Sequence, residues 1–521
     1  MTTDNRSDEA GTATTSSDSN GAGVKARLTG LAIGIALFVL MLLLPQPENL
    51  SLEGWHVAAV GVLMAIFWVT EALPLPVTAL IPLPLFPLLG VAPISATAAP
   101  YANPVIFLFM GGFVIALAME RWRLHERIAL FVLKLVGDRM DYLIGGFMVA
   151  TAVLSMWVSN TATTLMMLPI ALSVAALNGS RNPSDTTVFR TGAAAFPSAL
   201  LLSVAYGATA GGMATLVGTP PNAFLAGFMR QNYGVEIGFA QWMAMALPLS
   251  IILLIVMWWL VTRVIFKLDG NTISGAQEVI RERAARQGRM SAGEKRIGIL
   301  FLLLAVAWIT RPWFAKLIPV TGYGDTVIAM VAAILAFLIP VDLKRGVFLM
   351  NWEWAQKLPF GILILFGGGL TLASAIDKTG LAAWMGGQLG VLGGLPPLLI
   401  IVAMITLLIF LTELTSNTAT TAAFLPVVAA LAISLGEHPL LLVVPAALAA
   451  SCAFMLPVAT PPNAIVFASG HLSIGQMARA GVLLNVVGIV LITIVAYSAL
   501  LLVFGVEPGV LPEAIRAAAG K

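Results

Sequence analysis

Apolar residues fill most of this chain in long runs, and the polar residues that interrupt those runs recur in pairs. "LAIGIALFVLMLLL" from Leu31 and "WMAMALPLSIILLIVMWWLV" from Trp242 typify the runs. Apolar stretches of about 18 residues or more read as membrane-spanning helices. The pattern predicts spans near 27–45, 54–72, 75–93 and 104–120, then 240–265, 297–311, 325–341, 359–376 and 479–505. Four segments do not read as simple spans. Residues 142–174 and 396–435 each contain the hexapeptide "SNTATT", at Ser159–Thr164 and Ser416–Thr421, and residues 190–235 and 438–469 each contain "TPPNA".

Length separates these segments from ordinary spans. One span needs about 20 residues, and two with a turn need somewhat over 40. Tyr142 to Val174 is 33 residues, which suits a helical hairpin that dips into the membrane with the hexapeptide at its tip. Irregular backbone at that depth is tolerated only where protein buries it or it lines a cavity. The second unit is ambiguous by length alone, and an internal repeat decides it. "FMGG" at Phe109–Gly112 and "FGGG" at Phe366–Gly369 stand 257 residues apart, the same offset as the two hexapeptides. "GTPPNA" at Gly218 and "ATPPNA" at Ala459 follow in order, with the polar loop "LNGSRNPSDTTVFR" absorbing the longer spacing of the first copy.

Composition confirms the medium. The chain is 59% hydrophobic and 10% charged, with a mean hydropathy of +0.95, against about 25% charged residues in soluble domains. It is a polytopic integral membrane protein. The net charge of +3 and pI near 9.0 do not point to nucleic acid, because the basic residues sit in loops. Cys452 is the one cysteine, which excludes an intramolecular disulfide and a CxxC site, and the four histidines form no HxxxH pair. Residues 1–26 are polar and lack the basic-then-apolar order of a signal peptide, so a disordered cytoplasmic tail is expected there.

Loop charge gives the orientation. Arg121, Arg123, Arg127, Lys134 and Arg139 cluster before the first hairpin, a longer basic run fills 263–296, and Lys344, Arg345 and Lys357 follow. With the amino terminus inside, all three clusters are cytoplasmic, and the carboxyl-terminal tail, 506–521, is external. The span at 104–120 then runs inward and its counterpart at 359–376 runs outward, so the two halves, 27–265 and 297–505, have opposite topology. The linker at 266–296 reads as an amphipathic helix on the cytoplasmic surface. Inverted repeats with interrupted helices are a signature of secondary transporters, whose site lies at the repeat interface.

The motifs supply suitable chemistry. Two adjacent prolines remove two amide donors and push the preceding residue out of helical geometry, so each "TPPN" segment should break. A break exposes free carbonyls on one side and a helix N-terminus on the other. N-termini attract anions, and carbonyls with Ser, Thr and Asn oxygens suit a hard cation such as Na⁺. A carboxamide does both, so Asn160 and Asn417 can couple ion to anion. Small polar residues also pack transmembrane helices together, and for a single copy that reading would prevail. Glu413, beside the second tip, and Glu71 read as structural. An enzyme would need a nucleophile–base pair or a metal triad in the spans, and the spans supply neither.

"WVTEALPLPVTALIPLPLFPLLG", the paired "SNTATT" and the paired "TPPNA" resemble the divalent anion–sodium symporter family over Leu28 to Leu502. The resemblance implies an all-α inverted repeat with two re-entrant hairpins and two broken helices, a transport domain moving against a scaffold as an elevator, and a homodimer in the inner membrane. It implies Na⁺ as coupling ion, with no organic cofactor. One sodium site would use Ser155, Ser159, Asn160 and the Gly218 carbonyl, and the other Thr412, Asn417 and the Ala459 carbonyl. The substrate would meet Ser159, Asn160, Thr161, Ser416, Asn417, Thr418 and the hydroxyls of Thr219 and Thr460. The expected substrate is a C4-dicarboxylate such as succinate, malate or fumarate. Citrate or sulfate, and sodium-independent exchange of dicarboxylates, remain alternatives.

Overall fold

The computed structural model describes residues 13–178, 191–268, 270–317, 324–389 and 394–519. Most of them are helical. Among the described residues, seven helices, including Leu52–Thr70, Phe239–Ile265 and Ile474–Phe504, are long and apolar enough to cross a membrane, and seven shorter apolar helices accompany them.

Each expected hairpin is a helix, a short break and a second helix. Met140–Ser155 and Asn160–Ala176 flank the first break, and Pro397–Thr412 and Asn417–Ser434 flank the second. The breaks fall at the hexapeptides because Ser159 and Ser416 sit in extended N-cap geometry, with ψ of 141° and 130°. Both second arms carry a proline at the same place, Pro169 and Pro426. The "TPPN" segments break as expected, into Phe196–Gly212 and Pro220–Tyr233, then Leu440–Ala450 and Pro461–Phe467. In both, the prolines stand at the first helical positions, where a missing N–H costs nothing.

Packing repeats in a reciprocal way. Each hairpin lies against the first half of its own broken helix, while its second arm touches the second half of the other one. The first half of each broken helix also packs on the second half of its counterpart. Phe109 and Phe366, equivalent residues of the Phe-Gly motifs, meet edge to face with ring centroids 5.3 Å apart. A residue touches its own counterpart only near an approximate two-fold axis.

The first hairpin is seated by glycines that the sequence reading did not single out. Gly207 and Gly211, spaced as GxxxG, face Met148 and Ala152 of the arm Met140–Ser155. A Cβ on Gly207 would lie 2.6 Å from the Met148 carbonyl oxygen, and one on Gly211 would collide with that of Ala152. At the base of this hairpin, Asp141 is fully buried and accepts from both Arg139 and Arg263, each at 2.9 Å. The base thus binds the end of Phe239–Ile265.

Three expectations change. The first helix, Ala13–Leu43, starts inside the segment expected to be a disordered tail, since an established helix extends outward at little cost; residues 1–12 lie outside the described residues. Residues 75–93 form two pieces, Leu75–Thr78 and Pro82–Leu88, because Pro82, Pro84 and Pro87 interrupt the amide ladder. In the 266–296 linker, helix Ala276–Arg286 uses its apolar face on the protein: Ile280 is fully buried, the Gln277 N–H donates to Asp138 Oδ1 at 2.8 Å, and the helix packs on Leu124–Lys134. Most of the polar loop 177–190 lies outside the described residues.

Gly211→Ala should separate the first hairpin from its broken helix. Overpacking of this kind costs about 1–3 kcal/mol, so thermal unfolding in detergent should begin several degrees lower. An unchanged melting temperature would show that the two helices are not held this closely.

Candidate functional site

All four breaks border one cavity of about 1480 Å³. Ser159, Asn160, Thr161, Gly218, Thr219, Ser416, Asn417, Thr418, Ala459 and Thr460 all line it. Ser155 and Thr412 stand directly behind the tips, fully buried. Every site residue expected from the sequence is therefore in this one region.

The two tips share a local geometry. Ser155 Oγ donates to Asn160 Oδ1 at 2.5 Å, and Thr412 Oγ1 donates to Asn417 Oδ1 at 2.8 Å. Each asparagine heads a helix of 17 or 18 residues, so the positive ends of Asn160–Ala176 and Asn417–Ser434 face the cavity. Pro220–Tyr233 adds a third such end, and the short Pro461–Phe467 places Thr460 at its N-cap. Capping is uneven. Ser159 Oγ accepts from the Ala162 N–H and Thr460 Oγ1 from the Asn463 N–H, both at 3.3 Å, whereas Ser416 and Thr219 make no side-chain cap bond.

Neither tip carries a charged residue into the cavity. The charged residues among its described lining are Arg27, Glu71, Glu120 and Lys357, none of them on a hairpin. Two of each sign leave the walls neutral. Lys357 is further occupied by the Trp354 ring, 3.5 Å from its centroid, and Glu71 caps Leu52–Thr70 in left-handed geometry with φ 47°. An anion in the cavity meets helix ends, amides and hydroxyls.

The break loops rest on Glu413, which the sequence reading took as structural, and on residues that it passed over. Glu413 is 2% exposed and accepts from three successive backbone N–H groups: Phe454 at 2.8 Å, Met455 at 2.9 Å and Leu456 at 3.0 Å. The Asn485 carboxamide donates to the same carboxylate at 2.8 Å. With these four donors Glu413 caps the loop after Leu440–Ala450. The first repeat has Met156 in that place, and its loop is closed by Thr215, which donates to the Met156 carbonyl at 2.5 Å and accepts the Gly218 N–H at 3.0 Å. The Trp242 indole N–H adds a bond to the Met213 carbonyl at 3.0 Å. Nothing local in the sequence marks Thr215, Trp242 or Asn485, because their partners are remote along the chain.

A mostly helical membrane chain, its expected all-α character broken only by the small antiparallel pair Pro340–Asp342 and Val347–Phe348 among the described residues, with two matched pairs of polar breaks around one cavity, has the architecture of a secondary transporter. The chain matches the description "Sodium:sulfate symporter transmembrane region" over residues 25–504 and belongs to that family. It is 44% identical over 483 residues to the sodium-dependent dicarboxylate transporter SdcS of Staphylococcus saprophyticus, covering 92% of this chain and 93% of that protein. The SdcS of Staphylococcus aureus strain bovine RF122 is 42% identical, with 92% of each chain covered. Among solved structures, the Alcanivorax borkumensis YdaH transporter superposes with a TM-score of 0.54 at 13% identity, over 87% of this chain and 99% of that one. MtrF of Neisseria gonorrhoeae gives 0.55 at 14%, over 89% and 94%. At such identities the likeness is one of fold alone.

Glu413→Gln removes the charge and turns one acceptor into a donor aimed at N–H groups. Losing charge-assisted bonds at a buried site should cost about 3 kcal/mol or more, read as a melting temperature lowered by several degrees and lost uptake. Wild-type stability would contradict a carboxylate cap.

Proposed function

We propose that this chain is a sodium-coupled symporter that brings C4-dicarboxylates such as succinate, malate and fumarate into the cell. The observation that carries it is the meeting of both Ser-Asn-Thr tips, with their hydroxyl–carboxamide pairs, on one cavity free of charged tip residues. The curated relatives, named as sodium-dependent dicarboxylate transporters and alike over nearly the whole chain, support the same reading.

Ser155, Ser159, Asn160 and the Gly218 carbonyl hold one Na⁺, and Thr412, Asn417 and the Ala459 carbonyl hold the other. These are neutral oxygen ligands, which a hard monovalent cation prefers over softer groups. With an ion on its Oδ1, each asparagine keeps its NH₂ for a substrate carboxylate. Thr161 and Thr418 with the tips, and Thr219 and Thr460 at the broken helices, donate to the remaining carboxylate oxygens. Bound sodium offsets the dianion's charge, so neither binds well alone.

The hairpins are re-entrant and enter from opposite faces, with the amino terminus cytoplasmic and the carboxyl terminus external. The hairpins and broken helices form a body that moves as an elevator against a scaffold built around the helices near 52–121 and 292–378. The scaffold forms a homodimer in the cell membrane. Reciprocal packing of the two repeats supports the first point, since two-fold equivalence of this kind gives alternating access by exchanging the roles of the halves.

Labelled succinate uptake into proteoliposomes, with and without an inward Na⁺ gradient, tests the reading. Uptake should require the gradient and be competed by malate and fumarate. Uptake indifferent to Na⁺ but dependent on internal dicarboxylate would replace symport by exchange, and competition by sulfate alone would make sulfate the substrate instead. Asn160→Ala and Asn417→Ala should each leave less than about a tenth of wild-type uptake, with unchanged elution on size exclusion.

A further inference from the structure

Asn222 and Asn463, the last residues of the two "TPPN" motifs, line neither the cavity nor any ligand position assigned above. Both are completely buried. Asn222 Nδ2 reaches the carbonyl oxygens of Gly212 at 3.4 Å, Met213 at 3.2 Å and Thr215 at 2.8 Å. Asn463 Nδ2 reaches those of Ala453 at 3.3 Å and Leu456 at 3.0 Å. The shared acceptors lie ten and seven residues upstream in both repeats, so one carboxamide ties down the carbonyls released where each helix breaks. The Oδ1 of each has no partner in the structure. A buried amide is retained at such a cost only where its other end is needed.

What these amides hold is the wall behind each ion site. In the first repeat, Gly212 sits so close to the tip that a Cβ on it would lie 2.5 Å from Asn160 Oδ1, and Gly218 packs against the Gly212 carbonyl. Its other acceptor, Thr215, takes the Gly218 N–H on its hydroxyl. In the second repeat, the Leu456 carbonyl that accepts from Asn463 also accepts the Ala459 N–H at 3.2 Å. Gly218 and Ala459 are the residues whose carbonyls complete the sodium sites in the reading above. Each loop thus has one residue that takes both the "TPPN" asparagine and the amide of the ion-ligating residue: Thr215 on its carbonyl and hydroxyl, Leu456 on one carbonyl.

We propose that Asn222 and Asn463 are positioning residues for the two sodium sites, acting through Gly218 and Ala459. Neither touches ion or substrate. Each sets where a backbone carbonyl points, and so how tightly its own site holds Na⁺. The inference rests on the sodium-symport reading and goes beyond it, because it assigns cation affinity to side chains outside both the tips and the cavity.

Asn222→Ala and Asn463→Ala test it. Removing a partner that orients a ligand should raise the sodium concentration for half-maximal succinate uptake about 10-fold. The half-saturation for succinate at saturating sodium should move by less than about twofold. Asn→Ser variants keep one O–H donor and should shift sodium half-saturation less, giving the order Ala, then Ser, then wild type. If the Ala variants fail to fold, the Ser variants carry the test. Protection of purified protein against thermal unfolding by NaCl, with choline chloride as control, reads the same shift without transport. A lowered melting temperature or maximal rate with unchanged sodium half-saturation would overturn the proposal and leave these amides as packing. Wild-type uptake independent of Na⁺ would overturn the symport reading, whereas a sodium-dependent wild type with insensitive variants would overturn this inference alone.

Discussion

A helix that stops inside a bilayer leaves backbone donors and acceptors with no water to bond, and the interior of this protein is organised around where those groups go. Around the cavity, helices stop at Ser155, Gly212, Thr412 and Ala450. At each stop, N–H groups on one side are left facing the cavity and carbonyls on the other are claimed by side chains. Asn222 and Asn463 claim those of the broken helices. Glu413 takes the reverse duty and accepts the stranded N–H groups of the second loop. The groups left over are those that border the cavity, which is why the binding chemistry consists of helix ends and carbonyls.

The two repeats reach matching geometry by unlike means. A hydroxyl donates to the tip asparagine in both, from serine in one and threonine in the other. Behind that pair the supports diverge: Thr215 with Trp242 in the first repeat, and Glu413 with Asn485 in the second. Divergence of support under constant site geometry is what selection on the site alone would leave. It also makes the halves chemically unequal, since the second has a buried glutamate one residue from Thr412 and the first has methionine there.

Much of this was legible because the decisive signals are local. Paired prolines and a serine before a helix fix a break to within a residue or two wherever they occur, and the 257-residue offset showed that two breaks belong together. The expected site residues came from the family resemblance that those motifs carry, and they lie on or directly behind one cavity. Contacts between distant segments were not legible. Gly207 and Gly211 matter because Met148 and Ala152 lie against them, and "GATAG" alone does not say so. Helix Ala276–Arg286 has the same amphipathic pattern whether its apolar face meets lipid or the helix Leu124–Lys134; only the fold decides. The helical start at Ala13 was missed because composition describes a segment in isolation, while a helix already formed beside it changes the outcome.

The neutrality of the tips bears on coupling itself. A dianion moved from water into a site of low polarity loses solvation worth many kcal/mol, and helix ends, each about half an elementary charge, return only part of it. A lysine or arginine on a tip would close the gap and let the anion bind alone, and no coupling ion would then be required. With only Ser, Asn and Thr there, the remaining charge must arrive with the substrate. On the function proposed above, cations seated on Asn160 and Asn417 bring it to the two ends of one dicarboxylate. By linkage, each ion then strengthens anion binding by the factor with which the anion strengthens that of the ion. The absence of basic side chains at the tips is on this argument what obliges sodium and substrate to move together.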